Sequence, residues 1–397
     1  MSTRAAGDGA TGVEAVGREP TNADAPTWSD RLARVALSCA CEPGDLTATS
    51  LVDQLGAEGA LLAQQAPKPG SELHSRLLTV EPERELERAA QKGVRFVVPG
   101  DEEWPAPLDE LGLIGDRETG QGGTPIGLWV KGPMPLTELT TGVAIVGARS
   151  CTTYGTEVAH EIAASVARDG RVVVSVAAIG IDTAAHRGAV AASGRTAAVL
   201  ACGPERVYPE ASRRLLQHLW AEGVVVSEAP PGSAPTRLRF LSRNRLIAAL
   251  TCGTVVVEAA IRSGALSTAR WAEALSRSLM CVPGPVTSAA SVGVHKLLRD
   301  GAGTLVTRGA EVLEAVGGHG EHLLPPPREE SRPRDRLSVV EQRVLEAVPL
   351  VEPARVDSIA HVAALHVRDC DPALRRLARG GFVTCTPRGW RQAFPSP

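Results

Sequence analysis

Arginine and aromatic side chains that could bind single-stranded nucleic acid are concentrated in one short segment, LRFLSRNRLIAA at residues 238–249. Phe240 lies there among three cations and an amide: Arg239, Arg243, Asn244 and Arg245. A guanidinium group can hold two phosphate oxygens at once, and an exposed ring can stack on an unpaired base. The same pattern fits an Arg-rich entry to an apolar helix with Phe240 in the core, so both interpretations remain open.

A second set of candidate residues follows the apolar segment VAIV, in the loop GARSCTTYG at residues 147–155. Gly147 would let the backbone approach a ligand closely, and a helix from about Thr156 would present its N-terminus to an anion. Arg149 and Ser150 would add direct contacts. The segment lacks the second and third glycines of the dinucleotide-binding motif and an acidic ribose contact, so NAD binding is disfavoured and no cofactor is predicted.

A third loop follows VVVS, in the sequence VAAIGIDTAAHRGAVAA at residues 176–192. Gly180 permits a tight turn, and Asp182 is predicted to cap the following helix. His186 and Arg187 come one turn later, near the same helix end. Asp182 and His186 could form an acid/base pair, but no nucleophile accompanies them, so helix capping plus phosphate contact is the preferred interpretation.

Two further loops are predicted to lie at the same edge. Ser263 and Gly264 precede an amphipathic helix and could offer backbone N–H groups to a phosphate. Lys296 lies on a short predicted helix farther along the chain. Its significance comes from sharing an edge with Arg149, Arg243 and Arg245.

The elements that must position these residues are typical of an α/β fold. From Gly127 onward, short β-branched runs that are apolar at every position alternate with helical segments. Strands of this kind are buried on both faces, which predicts an extended Rossmann-like, doubly wound parallel sheet between helices. Ligands of such sheets bind where the carboxyl ends of the strands meet the following loops.

The 397 residues are long enough for two or three domains. The pattern predicts a disordered tail, a small helical domain, a linker or insertion, the Rossmann-like domain, a Pro-rich linker and a winged-helix domain, at residues 1–27, 28–114, 115–126, 127–316, 317–336 and 337–397. The last domain is predicted from three helices followed by a hairpin, with arginines on the third helix and the hairpin. It could contact duplex DNA or a protein.

Charge, cysteine content and apolar runs indicate which partners, metal sites and locations to expect. The formal net charge of −3 does not indicate a polyanion partner, although one basic stripe would suffice. The eight cysteines have neither C-x-x-C spacing nor neighbouring histidines, so they are interpreted as buried thiols and no metal site is predicted. Without a signal sequence or an apolar run of about 20 residues, no membrane association is expected and the predicted location is cytoplasmic.

Taken together and in order, these motifs resemble the DprA/Smf family of DNA-processing proteins. The matching stretches occur between about residues 143 and 306: VAIVGARSCTTYG, GIDTAAHRGA, VLACGPERVYP, SEAPPGSAP, FLSRNRLIA, VVVEAAIRSGALSTA and VPGPVTS. The upstream GDEEWPAPL and the C-terminal winged helix also fit. Several motifs in register are far more specific than one motif alone.

The resemblance implies a non-enzymatic homodimer that binds single-stranded DNA, protects it and helps to load the RecA recombinase during natural transformation or related recombination. It implies that Arg149 holds a phosphate, that Phe240 stacks on a base, and that Arg243 and Arg245 line the same groove, which Lys296 extends. It further implies that close backbone approach is provided by four small residues, Ser175, Gly180, Ser263 and Gly264.

The chain departs from the family pattern S-G-x-A-R-G-I-D, for which it has SVAAIGID. Val176 replaces a glycine and Ile179 a basic residue. A branched side chain cannot share the positive φ of glycine, and a lost cation removes a phosphate contact. We therefore predict weaker DNA binding than in a typical member. Milder replacements are Ala148, Leu241 and His295.

Two other functions fit parts of the sequence. CGTVVVEA faintly resembles the turn of nucleoside-monophosphate phosphoribohydrolases, with Glu258 as the candidate carboxylate, although the tandem glycines of that family are absent. A transcriptional regulator would instead use the winged helix on duplex DNA.

Overall fold

The computed structural model describes residues 26–65, 72–116, 120–325 and 333–393. Most of the tail predicted to be disordered, residues 1–25, and residues 326–332 of the predicted Pro-rich linker lie outside these ranges. The chain divides into two compact units, the first ending at Leu324 and the second beginning at Pro325. No helix among the described residues combines the length and the apolar character needed to cross a membrane.

The first unit alternates helices and strands over most of its length. Its described helices are α1 (Trp28–Ala40), α2 (Leu46–Gln65), α3 (Glu72–Leu77), α4 (Pro82–Gln91), α5 (Thr153–Arg168), α6 (Ile181–Ala191), α7 (Arg213–Glu222), α8 (Arg237–Ala249), α9 (Ala265–Ala274), α10 (Val292–Arg299) and α11 (Gly309–Val316). Its described strands are β1 (Val94–Val97), β2 (Gly115–Asp116), β3 (Gln121–Gly122), β4 (Leu128–Lys131), β5 (Val143–Val146), β6 (Val173–Ser175), β7 (Thr196–Val199), β8 (Val224–Ser227), β9 (Gly253–Val256), β10 (Ser278–Cys281) and β11 (Thr304–Leu305).

Nine of these strands form one sheet in the order β1-β4-β8-β7-β6-β5-β9-β10-β11. Seven consecutive strands of this order, β8-β7-β6-β5-β9-β10-β11, run parallel to one another, as the apolar runs predicted. β4 pairs antiparallel with β8, and β1 pairs antiparallel with β4. The strand at the end of the predicted helical domain therefore extends the large sheet, a connection that the sequence pattern did not indicate.

The two faces of the sheet bury alternate residues against different helices, because successive side chains of a strand point to opposite faces. Val143 and Ile145 of β5 pack with α5 and α6. Ala144 and Val146 pack with the apolar C-terminal half of α8 and with α9. This arrangement is the predicted doubly wound sheet, and it explains why the strands are apolar at every position.

The strand order reverses at β5, because the chain continues to β6, β7 and β8 on one side and later to β9, β10 and β11 on the other. The loops after β5, β6 and β9 consequently diverge and leave a crevice beyond the carboxyl ends of these strands. Open α/β sheets bind their ligands at such a reversal point. The fold therefore brings together three of the loops that carry candidate residues.

The second unit contains α12 (Val339–Ala347), α13 (Val356–Val362), α14 (Val367–Arg379) and the antiparallel strands β12 (Val383–Thr386) and β13 (Gly389–Gln392). Three helices followed by a hairpin is the predicted order of elements. The arginines of α14 are largely neutralised within the unit. Arg375 pairs with Asp371, and Arg376 pairs with Glu341 of α12 at 2.6 Å.

The cysteines differ in their exposure. All eight are free thiols, and Cys41, Cys202, Cys281 and Cys370 are buried as predicted. Cys385 is exposed on the hairpin strand β12. The predicted burial is therefore wrong for Cys385.

Candidate nucleic-acid interface

A cleft of about 510 Å³ occupies the reversal point of the sheet. It is bounded by the loops after β5, β6 and β9 and by one face of α8. Nine of the residues predicted from sequence line it: Gly147, Arg149, Ser150, Asp182, Phe240, Arg243, Asn244, Ser263 and Gly264. The predicted convergence of distant arginines and an aromatic ring is therefore present in the structure.

Three arginines line the cleft: Arg149 after β5, Arg243 on α8 and Arg262 after β9. Arg149 and Arg262 are exposed, whereas Arg243 is buried. Within the described residues, no carboxylate lies within 4.0 Å of any of these three guanidinium groups, although many other arginines of the chain are paired. The cleft thus presents positive charge that the protein itself does not neutralise.

Phe240 lies at the boundary between this cleft and a smaller cavity of about 150 Å³. The ring is half-buried, so the predicted alternative of a core phenylalanine does not describe it. The Arg149 guanidinium lies 5.1 Å from its centroid, and the Tyr208 ring lies 6.0 Å away. A cation and two rings therefore form a continuous surface suited to stacking with a flat ligand.

Helix α8 has two faces with different partners. Phe240, Arg243, Asn244 and Ile247 face the cleft. The opposite face, with Ser242 and Arg245, lies against the N-terminal region. Arg239, one turn before Arg243, donates hydrogen bonds of 2.8 and 2.9 Å to Glu42 of that region. A Cβ on Gly44, which has φ +74°, would lie 3.1 Å from Cβ of Ser242. The N-terminal region therefore contacts α8 on the side away from the cleft.

Arg243 is held in its position by neutral acceptors. Its Nη1 donates to the Val199 carbonyl at 2.5 Å, and its Nε donates to Oδ1 of Asn244. Asn244 in turn donates to the Gly264 carbonyl, which links α8 to the loop after β9. Burial lowers the pKa of Arg243 to about 10, so the group remains charged at neutral pH. The charge of Arg243 is thus oriented but not cancelled.

Arg245 does not line the cleft, and its predicted role in the groove is wrong. Its side chain is 0% exposed and forms two hydrogen bonds of 2.7 and 2.8 Å with Glu228. A third hydrogen bond, of 3.4 Å, runs from Nε of Arg245 to the Gly122 carbonyl oxygen. Arg245 is two positions beyond Arg243, and about 100° of helical rotation per residue turns it to the opposite face.

The predicted phosphate contacts of helix α6 are also wrong. Asp182 is not the cap, since Gly180 occupies that position, and the Asp182 carboxyl contacts Ser175 instead. Ser175 is fully buried. His186 is also fully buried, with its ring nitrogens 2.7 Å from Thr196 Oγ1 and 3.3 Å from the Val176 carbonyl. Ser175 and His186 are 0% exposed and do not line the cleft, so neither side chain is accessible to a phosphate there.

Gly147 and Gly180 bring two loops together. A Cβ on Gly180, which has φ +94°, would lie 2.3 Å from the Ala148 carbonyl oxygen. A Cβ on Gly147 would lie 2.6 Å from Ile181. Gly180 therefore serves loop packing, contrary to the prediction that it approaches a ligand, whereas Gly147 both packs and lines the cleft.

Arg187 and Lys296 lie outside the residues that line the cleft. Arg187 is exposed on α6, and Lys296 forms an ion pair with Asp300 one turn later on α10. Neither therefore contributes the cleft contact predicted for it. Arg262 is the residue that sequence reasoning missed, although it lies inside the motif AIRSGALSTA, directly before the predicted Ser263.

Glu258 is the candidate carboxylate of the phosphoribohydrolase alternative. It follows β9 and is buried against the start of α5. Its two oxygens accept hydrogen bonds from the backbone N–H and the hydroxyl of Thr152, at 2.9 and 2.6 Å. A carboxylate of the protein therefore occupies the helix end that was predicted to attract an external anion. Glu258 is absent from the described residues that line the cleft.

The two replacements in the loop after β6 differ in their effect. Val176 does not have a positive φ, so the predicted conformational conflict with a branched side chain does not arise. It lines both cavities and packs against the core. Ile179 is exposed beside the smaller cavity, where it offers no charge. Weaker binding stays a prediction that depends on the missing cation.

Comparisons with known proteins agree with this geometry. Residues 95–317 match the family model of DNA recombination-mediator protein A. A putative DNA processing protein DprA of Mycobacterium tuberculosis is 43% identical over 317 residues, which cover 78% of this chain and 81% of that protein. Protein Smf of Synechocystis is 30% identical over 340 residues, with 76% and 81% coverage. The crystal structure of DNA processing protein A from Streptococcus pneumoniae superimposes with a TM-score of 0.61 at 28% identity, over 74% of this chain and 99% of that chain.

Proposed function

The chain belongs to the DNA recombination-mediator protein A family of DNA processing proteins, and we propose from this premise that it binds single-stranded DNA in the cleft at the reversal point of the sheet. The observation that carries the proposal is the set of three arginines, Arg149, Arg243 and Arg262, which face one cleft without a carboxylate partner among the described residues. Guanidinium groups in this state are suited to phosphate oxygens.

The aromatic part of the cleft favours a single strand over a duplex. Phe240 and Tyr208 lie close together beside Arg149. Bases in a duplex are stacked on each other, so their faces are inaccessible to such rings, whereas an unpaired base can stack on them. Arginines that track the backbone and rings that stack on bases together form the usual recognition pattern for single strands.

We propose further that the protein acts without catalysis, as a homodimer that protects the bound strand and delivers it to the RecA recombinase. The family description as a recombination mediator supports the delivery step. The engagement of both oxygens of Glu258 with Thr152 supports a non-enzymatic role, because that carboxylate has no free oxygen directed at the cleft. RecA filament assembly on oligonucleotides, measured with and without this protein, tests the delivery step.

The binding proposal is tested by titrating labelled oligothymidine with the wild type and with Arg149→Ala and Arg262→Ala across a salt series. Each lost phosphate contact should lower the magnitude of the slope of log K against log salt by about 0.7. At low salt we expect each variant to bind about tenfold more weakly, since a charge-assisted contact contributes ~1.5 kcal/mol or more. Phe240→Ala should weaken binding with an unchanged salt slope, because stacking releases no counterions.

Arg187→Ala is the matched control, because Arg187 is an exposed arginine of the same unit that does not line the cleft. It should reproduce the wild-type affinity and slope. A titration with duplex DNA of the same length should give weaker binding than the single strand. Unchanged affinity in both cleft variants, or preference for the duplex, contradicts the proposal.

A further inference from the structure

One carboxyl group faces the cleft and takes part in none of the ion pairs described above. Asp182, in the first turn of α6, is the only acidic residue among the described residues that line the cleft. Its side chain is nearly buried, with 3% of the residue exposed. An ionised carboxylate here would repel the phosphate that the arginines are proposed to attract, so its protonation state affects binding directly.

The hydrogen-bond geometry around Asp182 accommodates both the carboxylate and the neutral acid. Ser175 Oγ lies 2.6 Å from the Ile145 carbonyl oxygen and 2.8 Å from Oδ1 of Asp182. A serine hydroxyl has one hydrogen, and a carbonyl oxygen can only accept. If Ser175 donates to Ile145, the short contact with Asp182 requires a proton on the carboxyl group. If Ser175 instead donates to Oδ1, it stabilises the carboxylate, so the same hydroxyl can serve both protonation states of Asp182.

The charged groups around Asp182 do not form a close pair with it. Arg243 faces it from α8, and Arg149 faces it from the loop after β5. β6 contributes the neutral Ser175. On its own helix, His186 is buried and uncharged near neutral pH, because burial lowers its pKa to about 4. Burial raises the pKa of Asp182 to about 7, an effect that outweighs the hydrogen bond from Ser175, the charge of Arg243, the backbone hydrogen bond and the charge of Arg149, all of which lower it.

We propose that Asp182 takes up a proton when a phosphate group enters the cleft, so that binding of the DNA backbone is coupled to the neutralisation of this residue. The inference rests on the proposed function, because it assumes a phosphate beside Arg243 and Arg149. The incoming negative charge disfavours the carboxylate, and protonation leaves the two guanidinium charges to the ligand. By reciprocity, protonation of Asp182 strengthens the binding of the strand.

The coupling predicts a particular dependence of affinity on pH. Below the pKa of the free protein, about 7, Asp182 is already protonated and the affinity is constant. Above that pKa, each bound strand must bring a proton with it. The affinity then falls by up to about tenfold per pH unit until the pKa of the complex is reached.

The experiment measures the anisotropy of labelled oligothymidine at constant ionic strength from about pH 5.5 to about pH 8.5, for the wild type, Asp182→Asn and Asp357→Asn. Asp182→Asn should bind with an affinity that is nearly independent of pH and at least equals that of the wild type at low pH. Asp357→Asn, an exposed acid of the second unit, should reproduce the wild-type curve. Calorimetric titration of the wild type in two buffers of different ionisation enthalpy should give proton uptake above the pKa.

The inference is overturned if Asp182→Asn shows the same dependence of affinity on pH as the wild type, or if binding takes up no proton. Either result leaves the proposed function intact. Absence of oligothymidine binding at every pH refutes the proposed function instead. In that case the protonation of Asp182 is decided on the free protein by infrared difference spectra between about pH 6 and about pH 8.5. A carboxylic-acid C=O band that titrates in the wild type and is missing from Asp182→Asn is expected, and its absence from the wild type overturns the inference.

Discussion

Two buried titratable residues on helix α6 have opposite effects on the stability of the first unit. Burial raises the pKa of Asp182 from 3.8 to about 7 and lowers the pKa of His186 from 6.5 to about 4. Between pH 3.8 and about pH 7 the native state retains a proton on Asp182 that the unfolded chain has released. The contribution of Asp182 to stability therefore falls as the pH rises through this range. His186 is neutral in the native state and protonated in the unfolded chain, so its contribution rises with pH. The two slopes largely cancel between about pH 4 and pH 6.5.

Asp182→Asn should reveal the contribution of His186. Because the variant lacks the Asp182 contribution, which falls with pH, its free energy of unfolding should rise between about pH 4 and pH 6.5 more steeply than that of the wild type. Urea unfolding at a series of pH values measures this slope, and Asp357→Asn serves as the control. Parallel pH profiles for Asp182→Asn and the wild type would mean that Asp182 is ionised throughout the range.

At the scale of elements, helix α8 combines a binding face and a structural face within 13 residues. Arg243 faces the cleft, whereas Arg239 and Arg245 are held by Glu42 and Glu228. The three arginines have the same side chain and occupy one short segment. Helical rotation turns Arg245 about 200° away from Arg243, whereas Arg239 differs from Arg243 by its position one turn earlier along the axis. Their partners come from parts of the chain up to 197 residues away.

The buried pair of Arg245 and Glu228 should contribute to stability and not to the charge of the cleft. Glu228→Gln leaves a buried guanidinium without a carboxylate, and we expect a loss of about 3–5 kcal/mol in the free energy of unfolding. Glu42→Gln should cost about 0–1 kcal/mol, because the Glu42–Arg239 pair is partly exposed. Urea unfolding measures both values.

The double variant Arg245→Met with Glu228→Leu separates stability from binding. Apolar side chains of similar volume can replace a buried ion pair with little loss, so much of the stability should return. In the refolded double variant, the salt slope of oligothymidine binding should match that of the wild type. A salt slope whose magnitude is lower by about 0.7 would mean that Arg245 does contact a DNA phosphate.

At the scale of the whole molecule, every residue that lines the cleft belongs to the first unit. A chain that ends at Leu324 should therefore bind oligothymidine with a Kd within about twofold of that of the full chain, a difference of ~0.4 kcal/mol. Anisotropy titration of the two chains at equal salt concentration provides the comparison. A loss of more than about tenfold would assign a substantial part of the DNA contact to the second unit.

Local pattern was sufficient for most of the fold. The apolar run at residues 143–146 coincides with β5, and the other runs from Val172 onward fall on the remaining parallel strands. The antiparallel strand β4 was not predicted, since its residues LWVK lack the alternation or length that marks a strand. For the site, motif order indicated nine of the lining residues, but it could not separate Arg243 from Arg245 or find Arg262.

The sequence by itself determined the alternation of strands and helices, the carboxyl-end edge of the sheet where the candidate loops lie, and the family, because these follow from short-range periodicity and from motifs in order. Only the tertiary structure decided which charges are available to a ligand. Glu228 neutralises Arg245, Glu258 occupies the start of α5, and Asp182 lies buried against Ser175. Whether a polar group is free depends on partners brought close by folding, and no local pattern specifies those partners.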